Sequence, residues 1–231
     1  MNTTAATALH ATVNGAGVRA PQDDIAPQHW QGGPIRCGDC EYAGLLALGE
    51  GPGCEPGHAC MQDVYARWID RFFRWHPVLS DDQLGHGYFE VRAIAARRAS
   101  VFRLTALIND PDETVRLQVA LRLPQTRLAR LVNDPHREVR LRVAQRLEMP
   151  ALLRMDDDPD ANVRRMVAEC LPVALLSRLA HDTGWRVRWE VAQRSDTPTL
   201  EAMHMDEEPA VRQAVHERLK SNVTPIGVAH G

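Results

Sequence analysis

A single phrase constrains this chain more than any other feature. Asp110-Pro111-Asp112-Glu113-Thr114-Val115-Arg116 returns as Asp134-Pro135-His136-Arg137-Glu138-Val139-Arg140 and again as Asp158-Pro159-Asp160-Ala161-Asn162-Val163-Arg164. Weaker copies begin at Asp182 and Asp206, and an earlier copy at His86 has lost Asp-Pro but keeps Val91-Arg92. The period is 24 residues throughout. Four residues after each Val stands Ala95, Val119, Val143, Val167, Val191 or Val215. A second apolar series follows at Leu104, Leu128, Leu152, Leu176 and Leu200, and a third at Leu107, Leu131, Met155, Leu179 and Met203. Units this short cannot bury an apolar face alone, so six in register predict a stacked solenoid. The units run 86–109, 110–133, 134–157, 158–181, 182–205 and 206–220.

The phrase predicts its own local structure. Asp is a good N-cap, and Pro at the first helical position loses no useful N–H. Val115, Val119, Ala120 and Leu123 share one helical face. Each unit therefore opens with a helix of about twelve residues, roughly 18 Å long. Pro124, Pro150 and Pro172 break the chain between the two halves. What remains is too short for a second full helix, and the i, i+3 leucines suit a 3₁₀ turn. HEAT-type repeats share the Val-Arg step but need about 40–47 residues per unit. Ordinary leucine-rich repeats need an L-x-x-L-x-L strand, which is missing here.

Four of the five cysteines lie before the repeats, at Cys37, Cys40, Cys54 and Cys60. Gly51, Pro52, Gly53, Pro56 and Gly57 make the surrounding segment a loop. Four thiolates satisfy either a tetrahedral zinc ion or an iron–sulfur cluster. The second pair is C-x₅-C, wider than a zinc knuckle, and the whole spacing also misses the common bacterial ferredoxin run. Spacing alone leaves zinc and iron–sulfur open. His58 lies between two of the thiols and reads as a loop residue rather than a ligand. Cys170 stands where other units carry Arg98, Arg122, Arg146, Arg194 and Arg218, and reads as drift.

The D-P-x-x-x-V-R-x-x-V-A unit behind an N-terminal cysteine cluster resembles the leucine-rich repeat variant family over residues 37–219. The resemblance implies an all-α fold: a right-handed superhelical solenoid alternating α-helix and 3₁₀-helix, with a small N-terminal iron–sulfur domain. It also implies a [4Fe–4S] cluster on Cys37, Cys40, Cys54 and Cys60, with zinc as the alternative. It brings no defined activity.

Around this core the sequence sets further expectations. Residues 1–30 lack periodicity and read as loosely ordered, 31–85 as the cysteine domain with a capping helix, and 221–231 as a tail. Val64, Trp68, Ile69, Phe72 and Phe73 fall on one helical face, suited to cover the first repeat or to shield the cluster. No apolar run reaches the roughly 18 residues of a membrane helix, and the first residues do not read as a secretory signal, so the expected setting is cytoplasmic, with no membrane partner.

Net charge is −3, with Lys220 the only lysine. The Val-Arg register stacks Arg92, Arg116, Arg140, Arg164, Arg188 and Arg212 in one column. They form either a phosphate-binding stripe or register pins paired with the Asp column at 110, 134, 158, 182 and 206; the near balance of charge favours the pins. Gly-rich phosphate loops and H-E-x-x-H or G-x-S-x-G motifs do not occur, so no enzyme is expected. The expected function is a cluster-bearing scaffold for a protein partner. A nucleic-acid-binding solenoid and an electron carrier are the alternatives.

Overall fold

The structure is a computed structural model that describes residues 25–47 and 53–223. Among these residues it is helical, with no strand and two isolated β-bridges, His29 with Asp63 and Glu55 with Ala59. A helix of the cysteine domain, α1 (Ala66–Trp75), precedes the repeats. The repeat helices then follow as α2 (Phe89–Ala96) and α3 (Glu113–Ala120), a short α4 (Gln125–Leu128), α5 (Arg137–Arg146), α6 (Ala161–Cys170) and α7 (Trp185–Arg194), then α8 (Thr197–Ala202) and α9 (Pro209–Val223). Between them lie 3₁₀ segments at Arg103–Leu107, Ala129–Leu131, Ala151–Met155 and Val173–Leu179. None of the described helices is long and apolar enough to cross a membrane.

The repeated apolar positions are the core. Val91, Val115, Val139, Val163, Val187 and Val211 have no exposed surface, and the three further series from Ala95, Leu104 and Leu107 are buried beside them. Each first-half helix packs on the next, α2 on α3, α3 on α5, α5 on α6, α6 on α7 and α7 on α9. A fully buried Val or Leu contributes about 1.5–3 kcal/mol, so the stabilisation is spread evenly along the rod.

Two local expectations are corrected. The helices α2, α3, α5, α6 and α7 span eight to ten residues rather than twelve, because the opening pair of each unit (Asp-Pro before α3, α5 and α6) precedes the helix instead of starting it. The cap falls two residues later: Asp112 accepts from the Thr114 N–H at 2.8 Å, and Asp160 from the Asn162 N–H at 2.8 Å. The Asp that opens each unit from the second to the sixth makes a turn, accepting the N–H two residues on at 3.0 Å (Asp110), 2.8 Å (Asp134), 2.9 Å (Asp158), 2.7 Å (Asp182) and 2.9 Å (Asp206). The second halves also vary. In the fifth unit, Asp196 accepts from the Thr199 N–H at 3.2 Å with Pro198 in the first turn, a capped start that closes as α-helix rather than 3₁₀.

The cysteine domain seals the first unit. Trp68, Ile69, Phe72 and Phe73 are buried, and α1 packs against α2. The segment before the cysteines is ordered from at least Gln28, not from 31: the Val64 N–H donates to the Gln28 carbonyl at 2.9 Å. Trp30 donates to Gln62 Oε1 at 3.1 Å and stacks on Tyr88 at 5.6 Å with an interplanar angle of 4°. Gly87 makes room for it, since a Cβ there would stand 3.1 Å from the Trp30 ring. The expected loose order of residues 1–24 and most of the expected tail, 224–231, lie outside the described residues; residues 221–223 continue α9.

Candidate metal centre

The first two cysteines sit on a tight turn. Cys37–Asp39 is a 3₁₀ turn, closed by the Cys40 N–H donating to the Cys37 carbonyl at 3.3 Å. A second 3₁₀ turn, Ala43–Ala47, follows directly. Its start brings the Tyr42 N–H to 3.4 Å from Cys40 Sγ. Such N–H···S contacts stabilise negative charge on a coordinating sulfur. Tyr42 anchors the turn, with its ring 5.5 Å from Phe72 and its hydroxyl accepting from Gln83 at 2.7 Å.

The second pair approaches from the other side. The Cys54 N–H donates to the Leu45 carbonyl at 3.3 Å. That approach requires Gly53, where a Cβ would stand 2.5 Å from Leu45 O. Gly57, at φ +75°, makes the left-handed turn between Cys54 and Cys60, and the Glu55–Ala59 bridge closes it. The Cys60 N–H donates to the Trp68 carbonyl at 3.2 Å, tying the last thiol to α1.

All four thiols are free of disulfides, and each feels the other three electrostatically. Cys60, only 2% exposed, donates to Cys54; that bond and its burial push the Cys60 thiol far up, and the same bond lowers Cys54. Burial, then the neighbouring sulfurs, raises Cys37. Burial also raises Cys40, against the pull of the Tyr42 N–H. Three of the four thiols resist shedding their protons, and Cys54 alone sheds its proton more readily; a bound cation centre would take all four as thiolates. No three His, Cys, Asp or Glu side chains among the described residues converge as a single metal ion requires. Four free cysteine thiols on one loop segment, with no carboxylate or histidine needed among them, are a donor set whose chemistry suits an iron–sulfur cluster. His58 turns away toward α1: its Nδ1 is 2.5 Å from Arg71 Nη1, and its ring lies 5.6 Å from that of Trp75. A cleft of about 790 Å³ opens beside Cys40, edged by His29, Arg36, Asp39, Glu41 and Gln62.

The arginine column lies elsewhere and is occupied. Arg92, Arg116, Arg140, Arg164 and Arg188 each reach the aspartate of the next unit, Nε to Oδ2 at 2.7 Å in every case. The five guanidinium side chains are 7–12% exposed and their aspartates 1–7%. These five are register pins and do not present an open phosphate-binding stripe; only Arg212 stands exposed. Sequence reasoning missed a second role. Arg122 donates to the Ala96 and Ala99 carbonyls at 2.7 and 2.6 Å, Arg146 to those of Ala120 and Leu123, Arg194 to those of Ala168 and Leu171, and Arg218 to that of Ser195. This column caps the helix end of the preceding unit. Its first member, Arg98, has no preceding repeat and takes Asp70 of α1 at 2.9 Å instead. The signal was the recurrence that Cys170 interrupts.

Comparison with known proteins agrees with this division. Residues 27–82 match the model for the LRV protein FeS4 cluster, and residues 89–112 and 113–136 match the leucine rich repeat variant. Residues 149–175 match a HEAT repeat, which shares the Val-Arg helix step; the 24-residue ladder runs through this stretch unbroken. The chain is 48% identical over 98 residues to an uncharacterized 27.7 kDa protein in the nifB 3′ region of Rhodobacter capsulatus, covering 42% of this chain and 39% of that protein. It is similar, at TM-score 0.74 and 42% identity over 80% of this chain and 78% of the other, to a solved leucine-rich repeat variant with a novel repetitive structural motif. With four coupled thiols on residues 37–60 and a 24-residue helical ladder behind them, the chain belongs to the leucine-rich repeat variant family and carries its iron–sulfur cluster domain.

Proposed function

We propose that this protein is a repeat scaffold for macromolecular interaction whose N-terminal cap is held by a [4Fe–4S] cluster on Cys37, Cys40, Cys54 and Cys60. The observation that carries the reading is the match of residues 27–82 to the family's FeS4 cluster model, over the stretch where the Cys37 turn and the Cys54–Cys60 loop are tied to Leu45 and to Trp68 of α1. A single zinc ion would draw all four sulfurs to about 2.3 Å from one point. When bound, the cluster supplies four covalent ties and one-electron chemistry. The chain's own residues supply the rest. Tyr42 N–H steadies Cys40, Trp68 fixes the Cys60 backbone, and α1 shields the buried side.

In this reading the solenoid offers a protein partner a long surface, and no catalytic role is assigned. A nucleic-acid role is not proposed, because five of the six column arginines are bound to aspartates. The partial exposure of Cys37 and Cys40, with Cys40 lining the cleft, favours electron exchange as a second reading. The test is iron and acid-labile sulfide analysis, with a visible spectrum, on protein purified without oxygen. The reading expects brown protein with about four irons and four sulfides per chain; colourless protein with one zinc per chain overturns it. Reversible one-electron reduction separates an electron carrier from a structural cluster.

A further inference from the structure

Arg212 is the last arginine of the pinning column, and it is set to receive a group that no described residue provides. Each of the five earlier arginines is held by the carbonyl six residues before it: Arg92 by His86 at 2.9 Å, Arg116 by Asp110 at 2.8 Å, Arg140 by Asp134 at 2.9 Å, Arg164 by Asp158 at 2.7 Å and Arg188 by Asp182 at 2.7 Å. So held, each extends Nε and Nη2 to a carboxylate eighteen residues on. Arg212 has the first half of this arrangement. Its Nη1 donates to the Asp206 and Glu207 carbonyls at 2.5 and 2.9 Å. Among the described residues no carboxylate meets its other face. The position eighteen residues on is His230, and residues 218–231 contain neither Asp nor Glu.

A neighbouring substitution points the same way. Ala96, Ala120, Ala144, Ala168 and Ala192 are fully buried under the following unit. The sixth member of that series is His216, exposed, one turn from Arg212 on α9. The end face therefore carries a polar His216 beside Arg212 where the inner units bury an alanine, which is unfavourable for stacking a seventh repeat. A second copy of this chain does not offer the matching group: its first unit carries His86 where the aspartate would stand, and α1 and Trp30 cover that end.

We propose that this end face is a docking site for a protein partner that presents an aspartate on an Asp-Pro-type turn, received by Arg212 as the five internal aspartates are received. The proposal rests on the scaffold reading of the repeats and is independent of the cluster at the other end. The planar fork of Arg212 would bond both carboxylate oxygens, which selects carboxylate over a carboxamide.

The probe is a peptide with the sequence Asn109 to Arg116, titrated into the full cluster-loaded chain while the Arg Nε–H signals are followed by NMR. A saturable shift at Arg212 is expected. Arg212→Ala should abolish it, and Arg212→Lys, which keeps the charge but loses the fork, should bind roughly tenfold more weakly. The peptide with Asp110→Asn should weaken by a similar factor. Because Arg212 also bonds the Asp206 and Glu207 carbonyls, the melting curve of each variant is recorded alongside to confirm that it is folded at the temperature of the titration. Absence of a saturable shift overturns the proposal, as does equal binding of the Asn peptide or of inorganic phosphate. A concentration-dependent dimer that Arg212→Ala dissolves also overturns it, assigning the face to a second copy. Iron content measured on the same sample keeps these outcomes separate from failure of the cluster.

Discussion

Arg140 reaches forward to Asp158 and holds it with both arms of its guanidinium, Nε to Oδ2 at 2.7 Å and Nη2 to Oδ1 at 3.1 Å. The same arginine donates backward to the Asp134 carbonyl at 2.9 Å. One side chain thus joins two consecutive turns, and its repetition sets the register of the rod. The pair is nearly buried, so its charges are lost from water and depend on each other.

Removing either partner strands the other. Arg140→Ala and Asp158→Ala should each cost about 3–5 kcal/mol in denaturant unfolding. The double variant should cost less than the sum of the two, because the second change removes a charge already left unpaired. Strict additivity would show that the pair does not hold the units together.

Acid should weaken the ladder from its carboxylate side. Burial opposes the charge on Asp206, but the Arg188 fork, the Glu208 N–H and the nearby Arg188 and Arg212 charges outweigh it and hold the carboxyl below its ordinary value. Its folded pKa lies below its unfolded one of about 3.9. The stabilisation is therefore complete above that unfolded value and is lost as pH falls through the folded one. Melting curves between pH 6 and pH 2 should show an acid limb that Asp206→Asn flattens, with a lower plateau at neutral pH. An unchanged limb would remove Asp206 from the account.

The cysteine loop should fail at one glycine and not at its neighbour. Gly53→Ala places a methyl 2.5 Å from the Leu45 carbonyl, whereas a Cβ at Gly44 meets nothing within 4 Å. Gly53→Ala should lower the iron-to-protein ratio, with Gly44→Ala unchanged. Equal iron in both would show that the Cys54 approach does not position the thiol.

Filling the gap in the second arginine column should stabilise. Cys170→Arg places a donor where Arg146 and Arg194 cap the unit before them, here opposite the Ala144 and Leu147 carbonyls. A gain of about 0.5–1.5 kcal/mol is expected, read as a raised urea midpoint.

Much of this was legible in the residues. The period fixed the solenoid because Val115, Val139 and their kin can be buried together only when the units stack. The thiols were legible because four cysteines within one loop have few other uses. Asp110 was misread as a cap because a capping Asp and a turn-forming Asp look alike within seven residues. What distinguishes them is Arg92, eighteen positions earlier and in another unit. Trp30 was missed because its partners, Gln62 and Tyr88, lie far along the chain and follow no period. The second column escaped because its acceptors are backbone carbonyls, which every residue carries.

The most direct measurement is anomalous X-ray scattering at the iron edge from crystals grown without oxygen. The account predicts iron density enclosed by the sulfurs of Cys37, Cys40, Cys54 and Cys60, at the foot of α1. A single peak at the zinc edge, or sulfurs joined in pairs with no metal between them, would contradict it.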